Sequence, residues 1–238
     1  NSPMPQEIWL ELQYTNQHYI WVGATNISSI LSKRPIYVIK HGAQTINLVN
    51  EAIGQGANAV EFDIQPDGDG FFIQHPFPSP PDVGSAKTEK GDFPAYLSHL
   101  KSLADSNRLA NLVFDCKKPD AANYAENLIA KIKDAGIPDF LCTLSVPKAQ
   151  AGTFIQKKNE MGFHCNVDSY LESNPPSPAE YVAGVEALGT TFQGVGRDPF
   201  ARAPMWQWLP WIMELTNARD TNKKYKKAYF WTVNDTVT

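Results

Sequence analysis

The sequence predicts an α/β fold in which short strands alternate with amphipathic helices around a parallel sheet, and three observations carry that expectation. From Arg34 onward, β-branched or aromatic runs alternate with segments of helical periodicity, the pattern of successive strand–helix units. Eight such runs can be placed, at 36–41, 59–64, 71–75, 111–117, 140–146, 163–168, 191–195 and 228–233. A chain of 238 residues with 42% hydrophobic content can bury one barrel-sized core, and neither an internal repeat nor a low-complexity linker divides it. The expected architecture is a TIM-type (β/α)8 barrel over residues 34–238, with residues 1–33 as an N-terminal extension packed on it.

In the extension, Ile8, Leu10, Leu12 and Tyr14 alternate with polar residues and predict a strand or hook. The stretch 59–64 sorts by face: Glu61 and Asp63 share one side of the strand, and Val60, Phe62 and Ile64 take the other. Gln65-Pro66-Asp67-Gly68-Asp69-Gly70 is too short for a helix and reads as a turn, so the link to the third strand is hairpin-like. Phe93, Leu97, Leu100 and Ala104 mark the apolar face of the next helix. In the fourth strand Val113, Asp115 and Lys117 alternate with Leu112, Phe114 and Cys116.

Asp120 is expected to open a helix carrying Tyr124, Leu128 and Ile132, closed by Gly136. Ser177-Pro178-Ala179-Glu180 has the form of a capping box with Pro at the first helical position, and Gly189 is the stop. The tract Met205 to Met213 sets Trp206, Trp208 and Trp211 within six residues. It reads either as a buried helix start or as an interfacial patch, since Trp favours the lipid headgroup layer.

Composition excludes some functions. A net charge of −4 and a pI near 5.7 argue against nucleic-acid binding, and the Lys-rich stretch from Lys223 to Lys227 reads as a solvated helix end. No apolar run reaches the length of a membrane span. The first residue is Asn1 and sequons occur at Asn26 and Asn234, which fits a processed, secreted chain. Cys116, Cys142 and Cys165 lie inside apolar strand-like runs and are expected as buried thiols, not a disulfide frame or a zinc site.

Two carboxylates on one face of a strand whose other face is apolar need a cation or a donor network, because burying bare charges costs several kcal/mol. A divalent metal meets that need. In a parallel barrel the active residues gather at the carboxyl ends of the strands. His41, Glu61, Asp63, His75, Asp115 and Lys117 all fall at such ends, whereas His18, His99 and His164 do not and are read as structural.

At these residues the chain resembles a known family. The runs 34–41, 56–63, 112–117, 144–147 and 229–233 together are similar to the sphingomyelinase D/phospholipase D toxins of spiders and some bacteria and fungi, within the glycerophosphodiester phosphodiesterase-like barrels. The likeness implies a Mg²⁺ held by Glu61, Asp63 and Asp115, with His41 and His75 as the catalytic pair. It also implies Lys117 on the phosphate, and Asp168, Tyr229 and Trp231 lining the substrate pocket. The implied activity is headgroup cleavage of sphingomyelin or lysophospholipids, by a secreted enzyme that touches membrane surfaces transiently and gives a cyclic phosphate. Three carboxylates are the hard oxygen ligands that Mg²⁺ prefers.

The sequence also departs from that family. The loop after His75 carries prolines where a Cys pair is usual, Lys40 replaces a small residue, and Asn234 stands where an acid is common. Residues 194–198 fit the pocket strand poorly, and the chain ends at Thr238, before the usual closing segment. Two rival readings stand beside the phospholipase: a glycerophosphodiester phosphodiesterase acting on small diesters, and a non-catalytic barrel that binds lipid or protein.

Overall fold

The computed structural model describes residues 8–11, 21–24, 37–74, 91–161, 163–168, 176–196, 209–222 and 227–231. The expected α/β architecture is present. Its strands are β1 (Ile8–Glu11), β2 (Trp21–Ala24), β3 (Ile39–Lys40), β4 (Ala59–Asp67), β5 (Gly70–Ile73), β6 (Gly91–Asp92), β7 (Asn111–Cys116), β8 (Cys142–Pro147), β9 (His164–Asp168), β10 (Phe192–Gly196) and β11 (Lys227–Trp231). Its helices are α1 (Ile46–Gly54), α2 (Phe93–Asp105), α3 (Tyr124–Asp134), α4 (Ala151–Met161), α5 (Pro178–Leu188) and α6 (Leu209–Asn222).

Parallel ladders join β3 to β4, β4 to β7, β7 to β8 and β8 to β9, and a further parallel ladder joins β10 to β11. Strands β9 and β10 lie side by side through side-chain amides. Asn166 Oδ1 accepts from Gly194 N at 2.9 Å, and Gln193 Oε1 accepts from Val167 N at 3.3 Å. The first stave meets the last through side chains: the Tyr37 ring lies 6.4 Å from Phe192, and Lys227 Nζ sits 4.6 Å over that same ring. These contacts bring Tyr37, just before β3, beside β10 and β11, which form a two-stranded sheet separate from that of β3 to β9.

The strand expected at 71–75 forms as β5 and, as the hairpin-like link implies, pairs antiparallel with the end of β4, Ile64 opposite Ile73 and Asp67 opposite Gly70. The six-residue turn explains this, because a parallel return needs a crossover of a dozen or more residues. In the extension, β1 and β2 form an antiparallel pair.

Face alternation organises the packing. Val60, Phe62 and Ile64 on β4 and Leu112, Phe114 and Cys116 on β7 join the main core, which α2 covers with Phe93, Tyr96, Leu97, Leu100 and Leu103. Phe62 makes edge-on contacts with Phe114 and Tyr96 at centroid distances of 4.8 and 4.9 Å. Leu103, not Ala104, completes the buried face of α2. A second core cluster sets Tyr181, Val182 and Val185 of α5 against Val195 and Leu215.

The capping box at Ser177 is formed in both directions, and Gly189 closes α5 in the left-handed region at φ 78°. The helix expected from Asp120 begins instead at Tyr124, because Asn123 at its N-cap holds φ 56° and breaks the helical run. All three cysteines are buried free thiols, as expected.

Candidate active site

The inward faces of the strands are polar. Thr143 Oγ1 donates to Asn111 Oδ1 at 2.9 Å, and Asn166 Nδ2 donates to Ser145 Oγ at 2.8 Å, so this layer satisfies itself. In register with Ser145 and Asn166, the interior on β4 and β7 becomes anionic. The β4–β7 register puts Asp63 directly opposite Asp115 and Glu61 opposite Val113. Glu61 is 8% exposed and Asp63 2%, and one carboxylate oxygen from each of Glu61, Asp63 and Asp115 falls within 4.8 Å of the other two.

That spacing suits a hard dication, for which oxygens across the ion lie about 4–5 Å apart, given metal–oxygen distances of roughly 2.0–2.6 Å. The donor chemistry fits as well: three carboxylates, with neither sulfur nor imidazole among them. The trio could hold a divalent cation.

Lys117, just past β7, supplies countercharge. Its Nζ lies 2.6 Å from Asp115 Oδ2 and 3.1 Å from Asp63 Oδ1. Burial, followed by repulsion from Asp63 and Asp115, pushes the Glu61 carboxyl well above its usual range, against the Gly42 N–H and Lys117, which favour the charged form.

The loop after β3 is built onto this cluster. Gly42 adopts φ +66°, a turn that L side chains rarely enter, and its N–H donates to Glu61 Oε2 at 2.7 Å. The turn carries His41 to the rim, half-buried, with Nε2 3.6 Å from Glu61 Oε2. Ala43 N donates to the Glu61 carbonyl at 2.8 Å, and the Tyr96 hydroxyl of α2 donates to the Ala43 carbonyl. Gln44 closes the loop on Asp63: its Nε2 donates to Oδ2, and its Oε1 accepts from the Asp63 N–H at 3.2 Å. Gln44 carries no sequence motif; its only local sign is a polar residue just before the Thr45 cap of α1.

The structure thus brings His41, Glu61, Asp63, Asp115 and Lys117 together. Tyr229 lies on β11 opposite Gly194 of β10, half-buried. His75 and the side chains of Asp168 and Trp231 lie outside the described residues, as do His18, Trp206, Trp208, Asn26 and Asn234. His164 is elsewhere: it begins β9, at the opposite end of the strands, and its ring stacks on Phe192 at 3.8 Å. His99 is a surface residue bonded to Asn50. Trp211 donates its indole N–H to the Pro176 carbonyl at 3.0 Å and packs on the second core cluster, in keeping with the helix-start reading for that residue. Lys40 is half-buried on β3; burial lowers its pKa, while Glu51 and Glu61 oppose the shift.

The fold matches solved enzymes. A glycerophosphodiester phosphodiesterase from Parabacteroides distasonis is similar at a TM-score of 0.54 and 14% identity, over 83% of this chain and 85% of that one. A putative glycerophosphoryl diester phosphodiesterase from Silicibacter pomeroyi is similar at 0.56 and 10% identity, over 83% and 90%. These likenesses show a shared α/β fold. Residues 31–130 match the family described as dermonecrotic toxin SPH, the sphingomyelinase D family that the sequence resembles. The matched segment includes His41, Glu61, Asp63, His75, Asp115 and Lys117. No curated protein matches the chain by sequence. Family match and fold together indicate a phosphodiesterase.

Proposed function

We propose that the chain is a Mg²⁺-dependent phospholipase D that removes the headgroup of sphingomyelin or lysophospholipids. One observation carries the reading: Glu61, Asp63 and Asp115 converge with His41 and Lys117 at the strand ends, inside the segment that matches the toxin family. The three carboxylates hold Mg²⁺, which when bound supplies a Lewis acid for the phosphoryl oxygens. Lys117 steadies those oxygens, and Asp168, Tyr229 and Trp231 line the pocket. Residues 34–238 form the catalytic barrel and residues 1–33 its extension.

His41 and His75 work in opposite protonation states. The neutral one accepts the proton of the substrate's own free hydroxyl as that oxygen bonds to phosphorus. The protonated one gives its proton to the choline oxygen as the bond from phosphorus to choline breaks. The products are choline and a cyclic phosphate. An intramolecular hydroxyl can reach an effective molarity of roughly 10⁵ M or more when well oriented, so it outruns water. Both substrates are lipids, so the enzyme works at a membrane surface, and the family likeness favours secretion; among the described residues no helix is long and apolar enough to cross a membrane.

The fold neighbours favour a second reading, hydrolysis of small glycerophosphodiesters. Choline release from sphingomyelin micelles, set against release from glycerophosphocholine, separates the two. Phosphorus NMR of the early products then tests the route: a cyclic signal is expected, and a linear phosphomonoester alone from the first time point would rule the route out.

A further inference from the structure

We infer that Gln44 is a positioning residue that makes Asp63 a one-oxygen ligand and so sets the site's preference for a small dication over a large one. This rests on the reading of Glu61, Asp63 and Asp115 as a cation site. Gln44 is 7% exposed and grips Asp63 at two points, through the side-chain Oδ2 and the backbone N–H. The orientation of its amide is forced. The Asp63 N–H can only donate, so Oε1 faces it, and the carboxylate can only accept, so Nε2 faces Oδ2.

The two Asp63 oxygens therefore have different partners. Oδ2 accepts from the Gln44 amide, while Oδ1 faces Lys117 Nζ, 3.1 Å away, the same ammonium that bonds Asp115. Gln44 is itself fixed from both sides: Tyr96 holds the carbonyl of Ala43 before it, and Thr45 after it caps α1 by accepting from Leu48 N at 3.2 Å.

A hydrogen bond from Gln44 to Oδ2 fixes the plane of the Asp63 carboxylate, so two-oxygen chelation of a metal would compete with that bond while one-oxygen ligation through Oδ1 would not. Mg²⁺ takes single oxygens at about 2.0–2.1 Å in near-ideal octahedral geometry, whereas Ca²⁺ accepts two-oxygen chelation at about 2.3–2.6 Å. Freeing Oδ2 lets Asp63 turn and chelate, which suits Ca²⁺ and not Mg²⁺. Gln44 acts on the cation only through Asp63.

The test is calorimetric titration of the full chain with Mg²⁺ alone and with Ca²⁺ alone, for wild type, Gln44→Met and Gln44→Glu. Met is close in shape and removes both contacts; Glu keeps an acceptor for the Asp63 N–H and removes the donor to Oδ2, so it preserves the backbone contact if Met does not fold. Loss of a residue that orients a metal ligand commonly weakens affinity about 10- to 100-fold. Mg²⁺ affinity should fall by at least about tenfold in the variants, and Ca²⁺ affinity by clearly less, so the Ca²⁺-to-Mg²⁺ ratio rises. Folded variants that lose both affinities in equal proportion, or neither, overturn the assignment while leaving the cation site standing. A wild type that binds neither ion overturns both.

Discussion

Replacing Lys117 by Met tests the charge balance of the site with the cation chelated away. In wild type its ammonium lies 2.6 Å from Asp115 Oδ2 and 3.1 Å from Asp63 Oδ1, and the side chains of Lys117, Asp63 and Asp115 are 17%, 3% and 15% exposed. Methionine keeps most of the stem and removes the charge, leaving three carboxylates together. Breaking a buried pair by deleting one partner costs about 3–5 kcal/mol, because the remaining charge stays desolvated. For a domain of this size each 1 kcal/mol moves Tm by about 2–4 °C, so a loss of roughly 6–20 °C is expected in EDTA. Proton uptake by Glu61, already favoured by burial, should put the result toward the lower end. Saturating Mg²⁺ should narrow the gap, since the ion supplies the countercharge that Lys117 no longer does. Thermal unfolding followed by circular dichroism, with EDTA and with Mg²⁺, measures both quantities. A Tm within 2 °C of wild type in EDTA, or a gap that Mg²⁺ leaves unchanged, would refute the reasoning.

Three further outcomes follow from the same residues. Glu61 holds its proton above the usual carboxylate range, so in EDTA its contribution to stability is full below about pH 4.3, the unfolded value, and is lost as pH rises through the folded value. Cation binding should then release a proton at any pH below the raised folded value, read as a dependence of the calorimetric heat on the buffer's ionisation enthalpy. Burial pushes the Cys116 and Cys142 thiols up, so stability should fall above about pH 8.5, where the unfolded chain ionises and the folded one does not. The slope for two thiols approaches about 2.7 kcal/mol per pH unit, and thiol reagents should label the native protein only as it unfolds. Ser177→Ala removes the side-chain half of the capping box on α5, leaving the backbone N–H of residue 177 on Glu180, and should cost about 1 kcal/mol in urea unfolding, with no change in cation affinity.

Much of the site was legible because strand parity is a local rule. Once 59–64 and 111–117 are read as strands, alternation alone sends Glu61, Asp63 and Asp115 inward and Phe62 and Phe114 to the core, as observed. The capping box of α5 was equally plain, since its partners lie three residues apart. What stayed hidden depends on distance or on single dihedrals. Gln44 has no sequence mark because its partner Asp63 is nineteen positions on. The late start of α3 turns on the positive φ of Asn123, a conformation that Asn tolerates and that no periodicity reveals. The antiparallel direction of the third strand, by contrast, was legible, because a six-residue turn leaves no room for a parallel crossover.

The most direct measurement is choline release from sphingomyelin by protein stripped with EDTA and then titrated with Mg²⁺, run beside Asp115→Asn. Metal stabilisation of charge on a phosphoryl group is worth several kcal/mol, so stripping and the substitution should each lower turnover by about a hundredfold or more. Mg²⁺ should restore the stripped wild type and leave the variant impaired. Full turnover in EDTA, or in Asp115→Asn, would contradict the assignment of Glu61, Asp63 and Asp115 as the ligands of a catalytic cation.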